Sequence, residues 1–271
     1  MGNNFYFLNF LKIILLIILV CNIPLSFALN FPQTKEEFCS RFGTSEEERE
    51  TIQSLSNDPE NLMSFKNGGG LFNGGVCWWH SRFQRNVLYL VIFKPHQTKP
   101  QSKSELIKII HQIRMGNKVV SISGYSNFEE FSLENQELIQ RELNEWQVYD
   151  GVVLGGWKDG LKGDTTVEAF TLFTMMNKSY DYVAVKKKIA YQKLQIKGIT
   201  SHAWLIVGIK KVSLGIDLGY IDSNYPHLTK IYSYKYGDKS FYTKQYGNFV
   251  PYLEFTKEED KILQTAKEFC Y

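Results

Sequence analysis

Proline and cysteine are scarce in this chain, at 7 and 4 among 271 residues. Four cysteines are too few to staple a disulfide scaffold together. A 44% hydrophobic content with so little proline excludes a wholly disordered chain. Net charge is scarce as well. Lys+Arg 31 against Asp+Glu 28 leaves +3, which is no electrostatic footprint for nucleic acid. The densest basic run, Lys186-Lys187-Lys188, reads as a solvated face. No Cys-x-x-Cys or His-Glu-x-x-His spacing occurs, so zinc is not expected. The glycines at 151–156 and 160–163 match no phosphate loop, and no cofactor is expected. What is left is a globular chain with room for one large domain or two small ones.

One long hydrophobic run exists, and it lies at the N-terminus. Lys12 introduces Ile13–Val20, Asn22 and Pro24 interrupt the run before it could span a membrane, and Ser26-Phe27-Ala28 supplies a small-x-small cleavage pattern. Residues 1–28 are therefore expected to be a signal peptide, leaving a secreted or periplasmic chain of residues 29–271 with no membrane contact after processing. That chain retains Cys39, Cys77 and Cys270. An odd count in an exported protein raises the question of which thiol stays free.

Along residues 29–271 the pattern changes once. Ser45-Glu46-Glu47-Glu48 reads as a capping box. Asn67–Gly75 then carries five glycines in nine residues, a loop whose backbone can approach a partner closely. Val76, Trp79, Phe83, Val87 and Leu90 recur at helical spacing, which predicts a buried helix from near Cys77 to about Phe93. Helices are predicted at 103–115, 126–148 and 165–176, with a short strand around Val119–Ile122. After about residue 180 apolar and polar residues alternate through Tyr191–Lys197, Ala203–Lys211, Ile216–Asp222, Thr229–Tyr236 and Phe249–Phe255, as strands do. A last helix, Lys257–Glu268, closes the chain. Helices first and strands later predict an α+β fold, with a helical lobe over about 29–178 and a β-rich lobe over about 179–271.

Cys77 falls where the glycine loop turns into a helix. The unpaired amides of a helix start carry roughly half a positive charge, which favours the thiolate, and the thiolate is the nucleophile. Buried free cysteine is also simply a small apolar residue, so position alone does not make it reactive. His202 stands in an apolar strand, and Asp222 ends the next one. In a strand–turn–strand unit both come to the same sheet end. There the carboxylate can hold one imidazole nitrogen while the other serves the thiol. Asn224 and Asp217 are the alternatives for the orienting role. His80, one turn beyond Cys77, is expected to pack or face solvent. Trp146 and Trp157 could line a groove but fit core packing better.

These residues resemble the papain-like cysteine peptidases. The likeness rests on the order Cys77, His202, Asp222, on a Cys77-Trp78 pair opening a helix, and on spacing. His202 follows Cys77 by 125 residues and Asp222 by 145, against about 130–150 in the papain group. The His202-Ala203 pair and Asp222-Ser223-Asn224-Tyr225-Pro226 are closest to the YopT-type bacterial cysteine peptidases, over about residues 67–226. The resemblance implies a Cys77–His202–Asp222 triad acting on a protein or peptide substrate in a monomeric enzyme. It also implies an oxyanion-hole glutamine six residues before the nucleophile, where this chain has Leu71. Asn73 and Asn67 are the candidate replacements, with the Cys77 backbone amide as second donor.

Two other functions fit parts of the pattern. Transglutaminase-like acyl transferases share the triad chemistry and a His-Ala-Trp segment, which Trp204 completes here, although their cysteine and histidine lie much closer in sequence. A non-catalytic binding module on the same fold is the third. Finally, Cys39 and Cys270 each follow a phenylalanine in an amphipathic helix, near opposite chain ends. Termini of a domain often meet, so a Cys39–Cys270 disulfide is expected, leaving Cys77 free.

Overall fold

The computed structural model describes residues 30–43, 52–71, 75–155, 164–196, 201–252 and 256–271. The expected signal peptide, the Ser45–Glu48 capping box, Asn73 and Trp157 lie outside the described residues. No described helix is long and apolar enough to cross a membrane.

The fold is mixed α+β. Its first element, α1 (Lys35–Ser40), opens on a capping box in which Thr34 and Glu37 satisfy each other's backbone amides. Next comes α2 (Cys77–Leu90), the central helix, in which every residue except Arg82 is buried. Sequence periodicity carries this helix to Phe93, but the chain leaves it at Leu90 and enters strand β1 (Val91–Lys94). Three apolar residues cannot distinguish helix from strand by spacing. The choice is made by β2 (Val120–Ser123), which pairs with β1 in parallel. Between them α3 (Lys103–Met115) runs from a Ser102 cap to Gly116 in the left-handed region at φ 61.

The predicted helix 126–148 is two helices, α4 (Phe128–Glu134) and α5 (Gln136–Gln147), broken at Asn135 and followed by a π-helical turn at Val148–Val153. The helix expected at 165–176 is α6 (Ala169–Tyr180), ending in a second π-helical turn. Helix α6 runs past its predicted end at 176, where no glycine or proline stops it.

The strands then follow in sequence: β3 (Ala190–Ile196), β4 (Ser201–Val212), β5 (Gly215–Asp222), β6 (Tyr225–Lys235), β7 (Phe241–Thr243) and β8 (Gly247–Tyr252). They form one antiparallel sheet in the order β6-β5-β4-β3-β8-β7. The sheet curls nearly into a barrel. Tyr232 of β6 stacks on Phe241 of β7 at 4.3 Å, and the Tyr242 amide donates to the Tyr232 hydroxyl at 2.8 Å.

Alternation along the strands sends side chains into two cores. Ala203, Leu205 and Val207 pack with Phe83 and Val87 of α2, while Trp204 and Ile206 pack inside the curl with Leu172 and Met176 of α6. The last helix, α7 (Thr256–Cys270), lies against α2. There Glu258 accepts from both Arg82 and Arg85, and the two arginines hold its carboxyl down at about 2 against the opposing pull of burial. A disulfide joins Cys39 of α1 to Cys270 of α7, and Cys77 is the free cysteine among the described residues.

Candidate active site

The nucleophile candidate is placed by three local features. Val76 precedes the helix without capping it, and the first turn of α2 has no acidic residue, so nothing on the helix neutralises its positive end. The glycine loop in front is held by one face of α5. Asn144 accepts from the Gly70 amide at 3.1 Å, and Gln140 donates to the Gly68 carbonyl at 3.0 Å. Gln147 accepts from Leu71 at 2.7 Å and donates to the Gly75 carbonyl at 2.9 Å. The loop is also too tight for side chains. A Cβ on Gly75, at φ 84, would lie 2.5 Å from the Asn67 amide. Cys77 is thus carried to a fixed point at the mouth of the buried helix.

The sheet brings the other two residues there. His202 and Trp204 alternate to the same face of β4, and Asp222 lies directly across from Trp204 on β5. His202 Nε2 donates to Asp222 Oδ1 at 2.7 Å, and a hydrogen bond joins the ring to Cys77. With Nε2 committed to the carboxylate, Nδ1 is the nitrogen left for the sulfur. The three residues are 8%, 4% and 2% exposed.

Burial in itself pulls the His202 imidazolium down, but the Cys77 charge and the hydrogen bonds to Asp222 and Cys77 outweigh it, so the pKa rises to about 9. Asp222 goes the other way. Burial favours its neutral form, yet His202 and its other donors hold it below the ordinary carboxylate range. Those donors are the Asn224 amide at 2.9 Å on Oδ1, with Trp204 Nε1 at 3.2 Å and the Tyr246 hydroxyl at 2.9 Å on Oδ2. A buried carboxylate given four donors is a fixed, unprotonated partner for an imidazolium.

The remaining sequence candidates are placed elsewhere. Asn224 stands one step behind Asp222: it donates its backbone amide to the carboxylate and its side-chain amide to Tyr246, and it does not meet His202. Asp217 does not belong to the site, a correction to the sequence reading. By alternation it projects from the opposite face of β5, where it accepts from Ser233 at 2.6 Å and faces Lys210 at 3.7 Å. Asn67 links the two halves of the site. Its Oδ1 accepts from the Val76 amide, its Nδ2 donates to Asn224 Oδ1 at 3.2 Å, and its own amide donates to the Ser223 carbonyl. One of its N–H groups is therefore committed to Asn224. His80 packs, as expected. Its ring donates to the Phe65 carbonyl at 2.9 Å, and burial drives its pKa down to about 4. Trp146 is buried beneath the Arg82 guanidinium at 4.4 Å.

Sequence reasoning missed Tyr246 and the α5 clamp. The clamp was visible only as a polar stripe at Gln140, Asn144 and Gln147, a spacing that usually marks a solvated face. No group of three or more His, Cys, Asp or Glu among the described residues is arranged to hold a metal ion. The chain matches no protein-family model, no curated protein and no solved structure.

Proposed function

We propose that this chain is a thiol hydrolase, a cysteine peptidase or amidase of papain-like arrangement. In this reading the helical half supplies Cys77 and the β-rich half supplies His202 and Asp222. The observation that carries it is the continuous hydrogen-bonded run from an uncapped helix start to a four-donor carboxylate through one imidazole. A structural cysteine has no need of that run.

The Cys77 sulfur attacks the carbonyl carbon of a peptide or amide, and the carbonyl π electrons move to oxygen. The Cys77 backbone amide, at the first helical position, donates to that oxyanion, with Asn73 or Asn67 as the second donor. His202 gives its Nδ1 proton to the departing nitrogen as the C–N bond breaks, leaving a thioester and a free amine. His202 then takes a proton from water, hydroxide adds to the thioester, and the carboxylic acid leaves as the thiolate is restored. The Cys39–Cys270 bridge fits an exported chain in an oxidising compartment, as the expected signal peptide implies.

A library of fluorogenic peptide amides tests the reading. The wild-type chain is expected to release amine and the Cys77→Ala chain to release at least about 1,000-fold less. Equal release by both proteins would overturn it. A primary amine added to the reaction distinguishes transfer, which yields the new amide, from hydrolysis, which yields the acid.

A further inference from the structure

Tyr246 touches the triad, and the proposed chemistry leaves it unused. It lies in the turn between β7 and β8, where Thr243 Oγ1 accepts its backbone amide at 3.2 Å and Gly247 follows at φ 69. Its ring lies 4.9 Å from the His202 ring at 32°, and its hydroxyl reaches past the imidazole to Asp222 Oδ2. The same hydroxyl accepts from Asn224 Nδ2 at 2.9 Å, which leaves its proton aimed at the carboxylate.

We propose that Tyr246 is a positioning residue for the triad, acting through Asp222. By donating to the oxygen that His202 does not use, it makes the carboxylate a weaker partner for the imidazolium, and His202 a readier proton donor to the leaving group. The proposal rests on the Cys77–His202 reading given above. Its physical basis is competition for one anion. Each donor on a carboxylate spreads and stabilises the charge, and removing one strengthens the hydrogen bonds that remain. A phenylalanine at 246 keeps the ring and removes the hydroxyl, which is both the donor to Asp222 and the acceptor for Asn224 Nδ2.

The sign follows from that competition. Without the hydroxyl, Asp222 holds the Nε2 proton more firmly and the imidazolium survives to higher pH. Cys77, hydrogen-bonded to the ring, is common to both proteins, and the other titratable groups do not imitate this. His80, on α2, is kept neutral by burial. Tyr191 of β3 is held well above its ordinary range and Tyr220 of β5 is raised to about 12, in each case chiefly by burial. Lys193 of β3, over the Trp78 ring at 3.7 Å, and His227 of β6, on the Ser64 carbonyl, are common to both proteins and cancel in the comparison.

The test is an NMR titration of ring-labelled histidine in the full chain, with the His202 signal assigned by its loss in His202→Gln. In Tyr246→Phe the His202 midpoint is expected to rise by about half a pH unit from its raised wild-type position. Thermal melting verifies that the variant is folded. Incorporation of 3-fluorotyrosine at 246, a stronger donor, is expected to move the midpoint down and serves if the phenylalanine variant does not fold. An unchanged or lowered midpoint in folded Tyr246→Phe, or a raised one with fluorotyrosine, overturns the proposal. Failure of the peptidase reading is separately visible, as absence of amide hydrolysis, and leaves this midpoint measurable.

Discussion

His202→Ala is expected to lower the rate at which iodoacetamide alkylates Cys77 at pH 6.5 by about 100-fold. In the wild-type chain the His202 imidazolium stands beside the sulfur until pH passes about 9, because the charge of Cys77 and the hydrogen bonds to Asp222 and Cys77 favour it. The folded value lies above the ordinary 6.5 of histidine. The interaction is complete below pH 6.5 and is lost as pH rises through about 9. Alanine removes the cation and leaves only the helix start to favour the anion, whose contribution is smaller. A free thiol has roughly 1% thiolate two pH units below its midpoint, hence the expected ratio. Equal rates at pH 6.5 would mean that His202 does not stabilise the thiolate.

The second large effect concerns stability. Replacing Cys39 and Cys270 together with serine is expected to lower the unfolding free energy by about 2–5 kcal/mol and the Tm by about 10 °C. The bridge closes a loop with a sequence separation of 231, for which chain entropy alone sets an upper value of about 5 kcal/mol. Residual structure in the unfolded chain reduces that figure. Reactivity at Cys77 should survive the change, because the bridge joins α1 to α7 and Glu258, at the other end of α7, still pairs with Arg82 and Arg85. A change in Tm below about 2 °C would show that the bridge constrains nothing. Intact mass checks the pairing itself: alkylation of residues 29–271 without reductant should add one label, at Cys77, and three after reduction.

Much of the frame was legible before any coordinates. Helix 103–115 is read to the residue because both ends carry local signals, Ser102 and Gly116. His202 and Asp222 could be brought together on paper because β4 and β5 are joined by a tight turn, and period-two alternation then decides which residues share a face. The same rule removes Asp217, five residues before Asp222 and on the other face. What stayed hidden was non-local. The end of α2 at Leu90 depends on β2, thirty residues on in sequence, which captures Val91–Lys94 as a strand. Strand β7 is three residues long and carries no alternation to read. Tyr246 reaches Asp222 from the far edge of the curled sheet, and no spacing rule links a turn tyrosine to a carboxylate two strands of chain earlier. Asn67 was singled out as an oxyanion-hole candidate for its amide. Its placement between Val76 and Asn224 depends on how the two halves of the chain meet.

The most direct measurement is the rate of alkylation of wild-type Cys77 by iodoacetamide at pH 6.0, beside that of a free cysteine at the same pH. A thiolate held by the helix start and the His202 imidazolium predicts a rate at least about tenfold faster than the free thiol, despite burial. A rate equal to or below that of the free cysteine would contradict the thiolate–imidazolium pair on which the proposed chemistry depends.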